Sequence, residues 1–250
     1  MPGSGYEFKA FRYSSHFWIL ELLGREKSAL KILDVGTASG YLGKVLRGRG
    51  HFVTGIESEA VEAEKAMGYY NFFHRVDVEN FDFPYQREFD FILFADVLEH
   101  LRDPAAVLRK CIPGLKESGK IIISVPNMAN FLVRLSLLFG RFEYMDRGIL
   151  DKTHLRFFTL RSSKKMMTSL SCRVLKVVAT PLPIQLVLPF ARGKFFWPFH
   201  EAHYALTQVW KTLFAYQFVI MAAPGPVNLR LGGESDRYRE DAQNQCPRKS

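Results

Sequence analysis

A chain of 250 residues and 28.8 kDa, 48% hydrophobic and 24% charged, holds enough apolar material for one domain with a sizeable core. Its three cysteines are far apart and form no C-x-x-C pair, which excludes a disulfide scaffold and a thiolate metal site and points to a reducing compartment. The net charge of +9 is one-sided: residues 1–125 carry 16 basic and 17 acidic side chains, whereas residues 126–225 carry 13 and 4, a surplus that favours anionic partners.

Residues 1–15 are polar and lack the apolar centre of a secretory signal. No segment reaches the roughly 20 uninterrupted apolar residues of a membrane span, so a soluble or surface-bound protein is expected. Ser14 or Ser15 can cap a helix through 16–23. The run 31–35 suits a buried parallel strand, and Gly36 to Gly40 is a turn of small residues that lets backbone approach a ligand. Tyr41 opens a helix, so backbone N–H groups and the helix dipole converge at that turn. Asp34 sits inside the apolar run, where an ionised carboxylate must be hydrogen-bonded. It serves to fix the following loop or a ligand held by it.

Residues 51–57 read as a second strand ending at Glu57, whose carboxylate can accept from two ribose hydroxyls or simply face solvent. A helix over 59–67 and a third strand over 72–76 follow. Asp77-Val78 lies at that strand's tip, where Asp77 either receives an amino group or closes a turn. The central strand 89–94 runs into Ala95-Asp96-Val97-Leu98-Glu99-His100-Leu101, and Asp103-Pro104 starts a helix. Residues 112–119 form a turn into the fifth strand, 120–125. Residues 128–140 read as an apolar helix, Thr159 as the N-cap of a helix to 170, and 173–179 as a sixth strand. The proline- and aromatic-rich segment 180–200 suits a lid, a dimer patch or a membrane-surface contact. A helix over 201–215, a final strand over 217–222 and a disordered tail 226–250 complete the chain.

The glycine spacing matches a dinucleotide fingerprint poorly. With Ala38 replacing a middle glycine, D-V-G-T-A-S-G instead resembles the first motif of class I S-adenosylmethionine-dependent methyltransferases. The alanine methyl is expected to fit only at negative φ. D-V-L-E-H-L-x-D-P and D-x-x-H-x-R-F-F-T further resemble the small-molecule, ubiquinone O-methyltransferase-like bacterial branch. The resemblance implies an α/β fold: a Rossmann-like, doubly wound seven-stranded sheet, mostly parallel with an antiparallel final strand, and helices on both faces. It implies one domain over 1–225, with 1–30 as an N-terminal cap and 127–160 and 180–215 as substrate-side insertions.

S-adenosylmethionine is the cofactor so implied, S-adenosylhomocysteine its product, and no metal is expected. Its binding residues would be Asp34, Gly36, Thr37, Ala38, Gly40, Tyr41, Leu42, Glu57, Ser58, Asp77, Val78, Ala95 and Asp96. His100 and His154 are the candidate bases, because their near-neutral titration suits removal of an acceptor proton. Their structural alternatives are a hydrogen bond from His100 to Glu99 or to backbone, and a pairing of His154 with Asp151. Asp151 and Arg156 are substrate-side candidates; Arg156 either anchors an anionic acceptor or supports the loop through Asp151. The expected acceptor is small, anionic or lipid- or sugar-linked, methylated at a hydroxyl or amine. A nucleic-acid substrate is disfavoured, since Ala95-Asp96-Val97-Leu98 stands where an N-P-P-Y-like tetrad would be. A non-catalytic cofactor-binding protein is the third reading. A cytoplasmic monomer or homodimer, with peripheral membrane contact through 180–200, is expected.

Overall fold

The computed structural model describes residues 12–24, 28–184 and 196–225. The expectations for residues 1–11, for the centre of the 180–200 segment and for the 226–250 tail lie outside the described residues. Seven strands form one sheet: β1 (Lys31–Val35), β2 (Phe52–Glu57), β3 (Phe72–Arg75), β4 (Phe89–Ala95), β5 (Leu115–Pro126), β6 (Cys172–Thr180) and β7 (Gln217–Pro224), ordered β3-β2-β1-β4-β5-β7-β6. β7 runs antiparallel to both β5 and β6; the other neighbours are parallel.

Alternation along the central strands assigns one apolar set to each face. Leu33, Ile92, Phe94, Ile121 and Ile123 face one core, which also holds Val107 and Leu108 of α4 (Pro104–Cys111) and Met167 of α6 (Leu160–Ser169). Ile32, Phe91, Leu93 and Ile122 face the other. That core is closed by α1 (Ser15–Leu23), α2 (Tyr41–Gly48) and α3 (Ala60–Ala66), through Ile19, Leu23, Leu46 and Ala66. The expected doubly wound sheet with helices on both faces is thus present.

Capping sets several boundaries. Ser14 Oγ accepts from Phe17 N at 3.0 Å and starts α1. Thr159 and Ser162 form a reciprocal capping box at the start of α6. Three expectations need correction. β5 begins at Leu115, not at 120, because Leu115 pairs with Phe89 across a register shift that accommodates the 117–119 turn-like sequence. The helix expected over 128–140 is α5 (Phe131–Leu138), since Asn130 is its N-cap and Met128 N instead bonds Phe158 O at 2.8 Å. The helix expected over 201–215 is Trp197–Val209 followed by a short turn, Lys211–Phe214, broken at Trp210 with φ −128°.

One consequence positions the site. The strand order reverses between β1 and β4, which opens a crevice at their carboxyl ends. Pro126 and Thr180 both pair with Gln217 at the start of β7, so the segments after β5 and β6 leave from that same edge.

Candidate functional site

The loop after β1 is held by its neighbours' tips. Gly36 N and Thr37 N both donate to Ile56 O, at 2.8 and 3.2 Å. Gly36 has φ +71°, and a Cβ there would lie 2.5 Å from Val97 Cγ2. Gly40 has φ +80°, with Ala66 Cα 2.8 Å from where its Cβ would be. Both positions require glycine on two counts, conformation and space. Ala38 overturns the expectation stated for it: its φ is +45°, in the left-handed region, and the loop accepts the strain.

Glu57 explains how. Its Oε2 accepts from Ala38 N at 2.8 Å, while Oε1 accepts from Ser58 N and Glu59 N at 2.9 and 3.0 Å. The β2 tip therefore clamps the turn that follows β1. Asp34, 1% exposed, accepts from Tyr70 Oη at 2.7 Å through Oδ2, while Oδ1 has no partner in the structure. Burial pushes its carboxyl up to about 7 against the lowering effect of the Tyr70 hydroxyl, and the Glu57 charge adds to the rise. Asp77 is exposed two residues beyond β3 and closes a turn, accepting from Glu79 N at 2.9 Å and Asn80 Nδ2 at 2.8 Å. Of the two uses open to it, turn closure is seen. Leu42 and Val78 are buried in the two cores, so only their backbone can face a ligand. Tyr41 is 37% exposed at the first turn of α2.

Ala95 ends β4, and Asp96 follows with φ +58°. Asp96 N donates to Ser124 Oγ at 2.9 Å, and Asp96 Oδ1 accepts from Ser124 Oγ at 2.5 Å and from Gln217 Nε2 at 3.0 Å. Ser15 Oγ lies 3.4 Å from Oδ2. This carboxylate thus ties β4, β5, β7 and the start of α1 together at the crevice.

The two candidate bases do meet. His100 and His154 have ring centroids 4.9 Å apart at 71°, because Leu155 N and Arg156 N donate to Glu99 O at 2.8 and 2.9 Å and fasten their loop beside Leu98–His100. His154 Nδ1 lies 3.1 Å from Ile149 O, and His100 Nδ1 lies 3.3 Å from Thr153 O. Burial lowers the His100 pKa, and the neighbouring His154 lowers it further. The expected His154–Asp151 side-chain pairing is not formed, because Asp151 Oδ1 accepts from Thr153 N and Oγ1 at 2.8 and 2.7 Å. Arg156 is likewise not aimed at Asp151: its Nε donates to Arg102 O at 2.9 Å and its Nη2 to the same oxygen. It fastens the loop, which is a positioning role.

Sequence reasoning did not find Tyr70, Ser124 or Gln217. Gly43, where a Cβ would fall 2.2 Å from Tyr70 Cζ, was the one local sign that a ring crosses α2. The donor set fits an adenosine-bearing cofactor: two glycines at positive φ, a clamped acidic tip on β2 and a buried carboxylate oxygen with no partner.

A sequence family described as a methyltransferase domain matches residues 10–177. A ubiquinone biosynthesis O-methyltransferase of Aromatoleum aromaticum is 28% identical over 134 residues, covering 50% of this chain and 55% of that protein. One from Pseudomonas fluorescens is 31% identical over 116 residues, covering 44% and 49%. The chain therefore spans about half the length of the curated relatives it matches. Among solved structures, an S-adenosylmethionine-dependent methyltransferase from Archaeoglobus fulgidus superposes with TM-score 0.55 at 17% identity, over 83% of this chain and 91% of that one. A 1,6-didemethyltoxoflavin-N1-methyltransferase from Burkholderia thailandensis, with S-adenosylhomocysteine bound, gives 0.55 at 16%, over 85% and 77%. Structural likeness at these identities establishes the fold, and the family match covers more than half the chain. On these grounds the chain belongs to the methyltransferase domain family and has the fold of S-adenosylmethionine-dependent methyltransferases.

Proposed function

We propose that this enzyme methylates a hydroxyl or amine of a small acceptor that enters over the carboxyl edge of β4, β5 and β7. The observation that carries the reading is the Glu57 clamp on Ala38 N at 2.8 Å, which joins the glycine turn and the β2 tip into one cradle. When bound, S-adenosylmethionine supplies an activated methyl on a positive sulfur that leaves as a neutral thioether. Glu57 would receive the ribose hydroxyls, and Asp77, besides closing its turn, would with the Val78 backbone hold the adenine edge. Asp34 and the Gly36–Gly40 backbone would take the amino-acid end.

The remaining chemistry is orientation and exclusion of water, a contribution of roughly 7–11 kcal/mol in well-aligned systems. Segments 127–160 and 196–215 would wall the acceptor, with α1 as a cap held by Ser15 on Asp96. Where the acceptor loses a proton, the His100–His154 pair would hold or take it. The surplus of basic residues in 126–225 supports an anionic or lipid- or sugar-linked acceptor.

Calorimetric titration with S-adenosylmethionine tests the cradle. Glu57→Gln removes the charge but not the shape and should weaken binding by roughly 10- to 100-fold, the loss of one or two charge-assisted hydrogen bonds. Affinity equal to the wild type would refute the ribose assignment.

A further inference from the structure

The turn after β3 carries Asp77 and Val78, on the side read as facing adenine, and the loop 149–158 carries His154 and Arg156, on the side read as facing the acceptor. One residue between them, Arg102, is gripped from both sides. Glu79 Oε1 accepts from Arg102 N at 2.9 Å and from Asp103 N at 3.0 Å. Arg102 O accepts from Arg156 Nε at 2.9 Å and from Arg156 Nη2.

Both grips are charge-assisted, and they are therefore stronger and more directional than ordinary main-chain bonds. Among the described residues neither Glu79 nor Arg156 has an ion-pair partner, so each full charge is spent on the backbone next to α4. Each grip also continues outward. Glu79 N donates to Asp77 Oδ1 at 2.9 Å, and Lys110 Nζ of α4 donates to Glu79 O at 2.8 Å and to Phe81 O at 3.1 Å. Arg156 N and Leu155 N donate to Glu99 O, which keeps His154 against His100. Hydrogen bonds of about 3 Å thus run without a break from Asp77 to the histidine pair.

We infer that Glu79 and Arg156 are positioning residues that act through Arg102, so that the order of the β3-tip turn sets the order of the acceptor-side loop. An adenine amine arriving at Asp77 adds a donor to a carboxylate that already holds Glu79 N, which stiffens the turn that aims Glu79. The added order passes through Arg102 to Arg156, and cofactor binding thereby prepares the acceptor side; by linkage, an ordered acceptor side favours the cofactor equally. This cofactor step rests on the methyl-transfer reading. The link between the two loops does not.

Amide hydrogen exchange of the full chain tests the link from both ends. Without ligand, Glu79→Ala should speed exchange at the Leu155 and Arg156 amides by roughly tenfold, the order lost with about one hydrogen bond, and Glu79→Gln, which keeps an acceptor oxygen, by less than about threefold. Arg156→Ala should speed the Arg102 and Asp103 amides by a similar factor. The amides of Ile122 and Ile123 in β5 check on the same samples that the sheet is intact. Saturating S-adenosylmethionine should slow Leu155 and Arg156 by about tenfold in the wild type, and should not do so in Glu79→Ala. Either alanine variant, well folded and with wild-type exchange at its distant amides, overturns the inference, as does a bound cofactor that leaves Leu155 and Arg156 unchanged in the wild type. Faster distant exchange in the variants of a chain that binds no S-adenosylmethionine would uphold the link and count instead against the methyl-transfer reading.

Discussion

Asp34 is the residue on which stability and the proposed cofactor binding meet. Its carboxyl is raised from 3.8 to about 7, so the folded state binds more protons than the unfolded state between those values. Stability contributed by the neutral form is therefore fully present below about pH 3.8 and is lost as pH rises toward about 7. Asp34→Asn should flatten the dependence of Tm on pH across that window in the absence of ligand; a slope identical to the wild type's would exclude Asp34 as its source. A cationic cofactor end beside Asp34 favours the ionised form, so S-adenosylmethionine affinity should rise with pH toward neutrality, accompanied by proton release in calorimetry. Ala38 carries strain of the opposite kind. Left-handed backbone costs an alanine roughly 1–2 kcal/mol, and glycine's extra chain entropy returns about 0.5–1. Ala38→Gly should raise Tm slightly, and a lower Tm would show that its methyl group packs usefully.

At the scale of elements, Gly43 separates propensity from packing. Within a helix, glycine to alanine ordinarily stabilises by about 1 kcal/mol. In α2 the new methyl would meet Tyr70 Cζ at 2.2 Å, and Tyr70 is the donor to Asp34. Gly43→Ala should therefore destabilise by roughly 1–3 kcal/mol, the usual cost of overpacking. Urea denaturation decides the sign. The strands β1, β2 and β4 and the caps at Ser14, Asp103 and Thr159 were legible because local chemistry sets them: apolar runs for burial and side-chain oxygens for orphan N–H groups. The early start of β5 was not legible, since it depends on Phe89 pairing with Leu115 across a bulge.

Over the whole molecule, the segment 134–144 combines exposed apolar groups with positive charge. Leu135, Leu138, Phe139 and Tyr144 are 47%, 78%, 70% and 59% exposed, with Arg134 and Arg141 among them. Among the described residues no helix is long and apolar enough to cross a membrane. Vesicles rich in anionic lipid should therefore retain the protein, with retention lost on raising salt or in a Leu138→Glu, Phe139→Glu double variant. Equal flotation with and without those changes would exclude residues 134–144 as a lipid contact, leaving the contact expected through 180–200 to its own test.

The sequence by itself determined the parallel α/β class, the glycine turn and the acidic strand tips, because each depends on residues within a few positions of one another. Only tertiary structure decided that Gln217 and Ser124 hold Asp96, that Arg156 fastens to Arg102 O, and that His154 comes to rest beside Glu99 and His100. Those contacts join separate strands, turns and loops. No local pattern encodes them, since their partners are chosen by how the sheet orders its strands and where the loops leave its edge.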